Sequence, residues 1–327
     1  MTLTIGFVGT GGIAKSHQAQ LAQIEGVEVT AFAGSTWANT EKAAAAWSNA
    51  RAYRSLADML DDRKLDAVYL CVPPDTHEGL EEALIERGIP FLVEKPLAHE
   101  PALPQRLAAA ISEKNLLTSV GYHWRYLPSV DKAKKKLRDT TFGMALGYWM
   151  GTMPMADWWI AFNRSGGQFV EQTTHMVDLL RYLCGEITEV YAAYDKRVMH
   201  KKVEKADVYD VGTVTMKLAN GGVATLSNTC MLPHYHTVGL DLFTEKGTFE
   251  VRDSSLKIIK PEKTSEYHLP GNPIGRENEA FIHALRTGDR SLIRSDYADS
   301  LKTHEVTMAA NQSAASGLPV KLENQSR

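Results

Sequence analysis

The chain has 327 residues, of which 44% are hydrophobic and 23% charged, and its formal net charge is −3. That length exceeds one ordinary hydrophobic core and points to two domains of a soluble globular protein. The near-neutral charge gives no electrostatic reason to expect nucleic acid as a partner. Cys71, Cys184 and Cys230 are odd in number and far apart, which argues against a disulfide framework or a zinc knuckle. No apolar run approaches the roughly 18 residues of a membrane span. The strand pattern begins almost at once and leaves no room for a signal peptide, so the expected compartment is the cytosol.

Residues 3–8, LTIGFV, form a short apolar run of the kind buried in a parallel sheet. Gly9-Thr10-Gly11-Gly12-Ile13-Ala14 follows directly, then a helical stretch over residues 15–24 and a second strand over 27–33. Strand, glycine turn, helix and strand make a βαβ unit. Gly9 makes the tight turn, Gly11 lets the backbone approach a pyrophosphate, and Ala14 lets the helix pack closely on the strand. The helix start turns N–H groups and a positive dipole end toward the phosphates. Gly9, Thr10, Gly11, Gly12 and Ile13 are therefore candidate cofactor residues. At the end of the second strand an Asp or Glu would bond the ribose hydroxyls and repel a 2′-phosphate. The sequence has Gly34-Ser35-Thr36 instead. Ser35, Thr36 and Lys42 are able to meet a phosphate, and no arginine stands in that stretch. The expected cofactor is NADP or NAD, with NADP favoured.

The alternation continues. Helix 40–47 leads to a short strand near 52–53 and helix 55–60; strand 66–72 ends in Pro73-Pro74. Asp75-Thr76-His77 caps a helix over 78–87, strand 90–93 ends in Glu94-Lys95-Pro96, and helix 102–114 precedes strand 117–122. Such a run predicts a doubly wound parallel sheet, whose ligands bind beyond the carboxyl ends of the strands. Thr10, Pro73, His77, Glu94, Lys95 and His123 are expected to rim one crevice. Cys71, Pro73, His77, Glu94 and Lys95 are assigned to the cofactor, and Lys95, Tyr122 and His123 to the substrate.

Beyond residue 122 the rhythm changes. A helix over 129–138 carries the basic run Lys132, Lys134, Lys135, Lys136 and Arg138, read as a solvated face. A strand over 145–151 and an aromatic loop over 153–163 lead to residues 165–183, SGGQFVEQTTHMVDLLRYL. On one helix at about 100° per residue, Glu171, His175, Asp178 and Tyr182 share a stripe roughly 60° wide. Gly166-Gly167 turns the chain into that helix. A carboxylate four residues before an imidazole sets a proton-handling group beside a charge that tunes it. Strand-like stretches follow over 188–196, 207–218, 222–230, 238–244, 247–251 and 255–259, with hairpin turns at Asn220-Gly221-Gly222 and Glu245-Lys246-Gly247. Helices over 276–287 and 295–316 and a tail over 318–322 close the chain. The expected second domain is α+β with a large open, mainly antiparallel sheet. The expected division is 1–122 and 123–327, with the C-terminal helix packing back on the first domain.

GTGGIA, VPPDTH, VEKPLA, GYHWRYLP and GGQFVEQTTHMVDLLRYLCGE, with the C-terminal ENEAFIHAL and AANQSAASGLPVKL, together resemble the Gfo/Idh/MocA family. The resemblance covers essentially the whole chain. It implies that Lys95 contacts the nicotinamide ribose and the reacting hydroxyl, and that His175 is the general base. Glu171 stands where most relatives have aspartate, and Asp178 matches an acid more often structural. Arg125 and Pro128 match an R-x-x-P element. The implied activity is NAD(P)-dependent hydride transfer to or from a sugar, cyclitol or derivative, without a metal, and relatives often dimerise or tetramerise through the sheet. Glu171 would hold the substrate and favour the imidazolium. Trp158, Trp159, Phe162 and Arg164 are placed on the substrate side, because aromatic faces stack on sugar rings and guanidinium binds hydroxyls or carboxylates, with Trp159 and Phe162 reading equally well as core filler. Two other readings stand beside this one: a catalytically silent NAD(P)-binding or sensing protein, and a metal-dependent lyase or hydrolase using Glu171, His175 and Asp178 as ligands.

Overall fold

The apolar run after the N-terminus is β1 (Leu3–Val8). It is joined by β2 (Val27–Ala33), β3 (Arg51–Tyr53), β4 (Ala67–Leu70), β5 (Phe91–Val93) and β6 (Thr118–Val120). The six strands lie in the order β3-β2-β1-β4-β5-β6, every pair parallel. Their sequences are largely apolar because both faces are covered, with Glu28 and Arg51 the exposed exceptions. Along β4, Ala67 and Tyr69 enter one core cluster while Val68 and Leu70 enter the other. The first of these clusters is closed by Phe281 and Ile282, which lie on the helix Pro273–Thr287 far downstream. Phe281 is fully buried, which stabilises this unit by roughly 2–3 kcal/mol. Tyr297 enters the second cluster.

The structure is a computed structural model describing residues 2–322. The chain falls into two units, the first comprising Met1–Ala98, Ala102–His123 and Asn272–Leu301, the second His99–Pro101, Trp124–Gly271 and Lys302–Arg327. This differs from a single cut after residue 122, because the apolar side chains of residues 272–301 complete the first core. Met1 and residues 323–327, the outer ends of the two expected domains, lie outside the described residues.

The second unit is built on β7 (Phe142–Met150), β8 (Ile187–Asp195), β9 (Val211–Leu218), β10 (Val223–Thr229), β11 (Thr237–Thr244), β12 (Gly247–Val251), β13 (Ser255–Lys260), β14 (Lys263–His268) and β15 (Val320–Lys321). Their order is β14-β13-β12-β11-β7-β10-β9-β8-β15. All pairs are antiparallel except β7 with β10, where Met144 lies opposite Val223. Val190, Val214, Met216, Ala224, Leu226, Leu240 and Leu242 share a core with the helices Pro128–Leu137, Thr174–Cys184 and Tyr297–Ser316. On the opposite face, Tyr191, Val223 and Met144 are 47%, 45% and 39% exposed, respectively. β14 escaped the sequence reading because KTSEYH has no apolar alternation to signal it. All three cysteines are buried and free, in keeping with core residues. No helix among the described residues is long and apolar enough to cross a membrane.

Candidate active site

In the first unit, β1 runs straight into the glycine turn. Gly9 sits at φ +98° and donates its N–H to the Ala33 carbonyl at 2.8 Å. A Cβ there would lie 2.1 Å from the Cys71 carbonyl oxygen, so both backbone conformation and space require glycine. Gly11, in extended backbone, precedes the helix Gly12–Leu21, which has no side-chain cap and no acidic residue in its first turn. A Cβ on Gly11 or Gly12 would meet no protein atom within 4 Å. Unbonded N–H groups and a positive dipole end thus face an open surface between half-buried Thr10 and Ile13. That donor set fits the pyrophosphate of a dinucleotide.

Ser35 and Thr36 are exposed at the end of β2. The parallel register sets Ala33 opposite Tyr53, which brings Arg54 abreast of Gly34. The Arg54 guanidinium lies over the Trp37 ring, 4.5 Å from its centroid. Arg54 thus leaves β3 where Gly34 leaves β2.

Three cofactor and substrate assignments turn inward instead. Pro73 remains half-buried at the strand end, but the following helix starts at Leu80, after a turn at Pro74–Thr76 and a left-handed Gly79 (φ +85°). The Gly79 N–H donates to Glu82 Oε2 at 2.9 Å. His77 is therefore no helix cap but a buried residue, 1% exposed, with Nδ1 2.6 Å from Glu81 Oε1. Burial pulls its pKa down, but Glu81, the Val72 backbone and Asp75 together outweigh it, and the net shift is upward. The Cys71 side chain belongs to the core cluster of Phe7 and Tyr69, where burial pushes its thiol well up. Tyr122 is fully buried in the other cluster.

Glu94 and Lys95 close β5. The Glu94 carboxylate is buried and lies 2.9 Å from His17 Nε2, and His17 Nδ1 lies 2.8 Å from Asn278 Oδ1. The Asn278 Nδ2 donates to the His17 carbonyl at 3.4 Å, which settles which end of the amide faces the ring. Burial would raise the Glu94 pKa, but the hydrogen bond and charge of His17, with Lys95 and His123, hold it below its ordinary value. Burial, with Lys95 and His17, pushes the His123 imidazole down to about 4 against the pull of Glu94. The sequence reading missed His17 and Asn278. The signal was present: Ala14, His17, Gln18 and Leu21 form the buried face of the first helix.

In the second unit, residues 165–183 do not form one helix. Gly166 (φ +73°) and Gly167 (φ +84°) turn the chain as expected. Gln168–Glu171 then makes a single turn, and the helix restarts at Thr174–Cys184. At the junction the Thr173 N–H reaches back five residues to the Gln168 carbonyl at 3.0 Å. Gln168 is anchored elsewhere: it accepts from Asn228 Nδ2 at 2.8 Å and donates to Gln172 Oε1 at 3.1 Å. The stripe expected on a continuous helix is therefore broken between Glu171 and His175.

Each group is fixed by a tryptophan. Trp159 Nε1 donates to Glu171 Oε2 at 2.6 Å from a core shared with Ile160 and Cys230. His175 is 4% exposed and stacks on Trp149, ring centroids 5.8 Å apart and planes 16° from parallel. Trp158 packs on the Trp159 cluster, and Arg164 lies half-buried in the short helix Phe162–Ser165. Asp178 accepts from Arg125 Nε at 2.7 Å, from Arg125 Nη2 at 2.6 Å and from Thr303 Oγ1 at 3.0 Å. With both oxygens committed, Asp178 is not the metal ligand that the lyase reading needs. Among the described residues, no group of three or more His, Cys, Asp and Glu is placed to hold a metal ion. The basic run is also less solvated than expected, since the Lys134 ammonium lies 3.2 Å from the Tyr182 ring centroid.

Comparison with known proteins agrees with this architecture. A family model described as an oxidoreductase family with an NAD-binding Rossmann fold matches residues 3–122, and the GFO/IDH/MocA C-terminal domain model matches residues 140–250. The inositol 2-dehydrogenase of Rhizobium meliloti is 26% identical over 88% of this chain and 90% of its own. The solved structure of levoglucosan dehydrogenase with NADH and levoglucosan has a TM-score of 0.89 at 19% identity, covering 99% of this chain and 100% of that one. The WlbA dehydrogenase from Bordetella pertussis, with NADH and UDP-GlcNAcA, has a TM-score of 0.85 at 23% identity, covering 98% and 99%. At such identities the solved structures speak for the fold alone. The two family models together take in well over half of the chain, which belongs to the Gfo/Idh/MocA family of oxidoreductases.

Proposed function

We propose that the chain is an NAD(P)-dependent dehydrogenase or reductase that moves a hydride to or from the hydroxyl-bearing carbon of a sugar, cyclitol or derivative. The observation carrying this reading is the glycine turn and open helix start, present in one chain with Glu94–Lys95 at the end of β5. Relatives named for inositol and levoglucosan support the substrate class. When bound, the nicotinamide supplies the hydride acceptor or donor. Lys95 orients the hydroxyl and its charge stabilises alkoxide character. The adjacent Glu94 carboxylate is engaged by His17. His175 takes or returns the hydroxyl proton. Trp149, stacked on the ring, fixes its plane. Glu171, held by Trp159, binds a substrate hydroxyl and favours the His175 imidazolium. The absence of a carboxylate at Gly34-Ser35-Thr36 favours NADP over NAD. The exposed sheet face carrying Tyr191, Val223 and Met144 is the contact of a homodimer or homotetramer.

The test is a polyol and keto-sugar panel run with NAD and NADP in parallel, followed by His175→Ala and Lys95→Ala on the best substrate. Each substitution is expected to lower kcat by about 100-fold or more. Near-wild-type turnover in either variant sinks the assignment.

A further inference from the structure

We propose that Arg54, held in place by Trp37, is the anchor for the 2′-phosphate of NADP(H) and makes this chain discriminate against NAD(H). The inference rests on the dinucleotide reading of the first unit and goes beyond it by naming a residue that the glycine turn does not involve. Three observations converge. The parallel register of β2 and β3 sets Arg54 abreast of Gly34, at the strand end where a ribose-binding carboxylate would otherwise stand. Ser35 and Thr36 lie exposed at that same end and present hydroxyls, which can donate to phosphate oxygens. Arg54 is also treated differently from its neighbours. Arg51 pairs with Asp62 at 3.1 Å and Arg63 with the same carboxylate at 3.6 Å. Among the described residues, no carboxylate pairs with Arg54, whose guanidinium instead lies over an indole that is itself 36% exposed.

That arrangement suits a phosphate in a way that a surface ion pair does not. A guanidinium engaged over an aromatic ring keeps its N–H groups for hydrogen bonding, and its planar fork matches two phosphate oxygens. Stacking also limits the side chain's freedom before the ligand arrives, so less is lost on binding. The helix Trp37–Ala44 has no acidic residue in its first turn, so no like charge of its own opposes the phosphate there.

The experiment needs no knowledge of the substrate. The full chain is titrated with NADPH and with NADH, following nucleotide fluorescence, for the wild type, Arg54→Ala, Arg54→Lys and Trp37→Ala. The wild type is expected to bind NADPH at least about 10-fold more tightly than NADH, and Arg54→Ala to lose about 10- to 100-fold in NADPH affinity, with NADH changed by less than about 3-fold. Arg54→Lys recovers part of the preference through charge, and Trp37→Ala loses part of it. 2′,5′-ADP competes with NADPH in the wild type and loses that ability in Arg54→Ala. A wild type that binds both nucleotides equally, or prefers NADH, overturns the inference while leaving dinucleotide binding intact. So does an Arg54→Ala variant that weakens both nucleotides alike, the mark of a merely structural stack. A chain that binds neither nucleotide overturns the dinucleotide reading and the inference with it.

Discussion

Changing Asp178 to asparagine is expected to destabilise the second unit severely, for reasons of charge rather than shape. Arg125 and Asp178 are 3% and 0% exposed, and the two N–H groups of the guanidinium reach the two carboxylate oxygens at 2.7 and 2.6 Å. A third bond comes from Thr303, whose hydroxyl in turn accepts from Arg181 Nη1 at 2.6 Å. Asparagine keeps the volume but removes the charge and turns one acceptor into a donor facing donors. The guanidinium is then buried without its counter-ion, which costs about 3–5 kcal/mol. For a unit of this size each kcal/mol lowers the melting temperature by roughly 2–4 °C, so the variant is expected to melt roughly 6–20 °C below the wild type. Arg125→Met combined with Asp178→Leu removes both charges and is expected to recover much of that loss, because an apolar pair of similar volume needs no partner. Circular dichroism melts of the three proteins at neutral pH read both effects. An Asp178→Asn protein melting within about 2 °C of the wild type, or a double variant less stable than the single one, refutes the reasoning.

Gly9→Ala meets the Cys71 carbonyl at 2.1 Å and is expected to lose both stability and nucleotide binding. Gly11→Ala meets no protein atom within 4 Å, so it is expected to melt like the wild type while NAD(P)H affinity falls by about 10-fold or more. Equal melting temperatures for the two variants would falsify this contrast. Trp159→Phe removes the donor to Glu171, a charge-assisted bond worth about 1.5–3 kcal/mol. It is expected to lower kcat/KM by about 10-fold on the substrate the panel identifies, with NADPH affinity unchanged; an equal loss in both places the residue elsewhere. Folded His123 stays neutral down to about 4, while the unfolded imidazole takes a proton near 6.5. Its contribution is thus full above pH 6.5 and is lost as pH falls toward 4, by up to about 3 kcal/mol. His77, shifted upward, contributes fully below 6.5 and leaves that window to His123. Urea unfolding at pH 7 and 4.5 is expected to show a flatter pH dependence in His123→Asn, and an unchanged slope refutes the assignment.

The parallel sheet was legible because strands covered on both faces leave unbroken apolar runs, which glycines and prolines punctuate cleanly. The glycine turn was legible for the same local reason. What periodicity alone does not register is a change of period. Thr173 reaching back five residues to Gln168 breaks a stripe that a constant 100° step draws as continuous. Pairing across strands is equally silent in a single segment, which is why Arg54 was invisible beside Gly34 until β3 lay against β2. His17 is a different case. It occupies an inner-face position of the first helix, and a buried imidazole there requires partners that only the fold names, one of them 261 residues away.

That separation has a consequence for how the protein is made. All six strands of the first sheet and the whole glycine turn leave the ribosome by residue 120. Phe281, Ile282 and Asn278, which close one of its cores and hold His17, emerge only after β7 to β14 have been synthesised. At about 5–20 residues per second the interval is roughly eight to thirty seconds. During that time the nascent chain presents the apolar side chains of β1 and β4 without their cover, and a fragment stopping after β6 presents them permanently. The nucleotide half is thus encoded first but completed only after most of the second sheet has been made. A ribosome stalled in the second sheet would leave it open to aggregation and to the chaperones that prevent it.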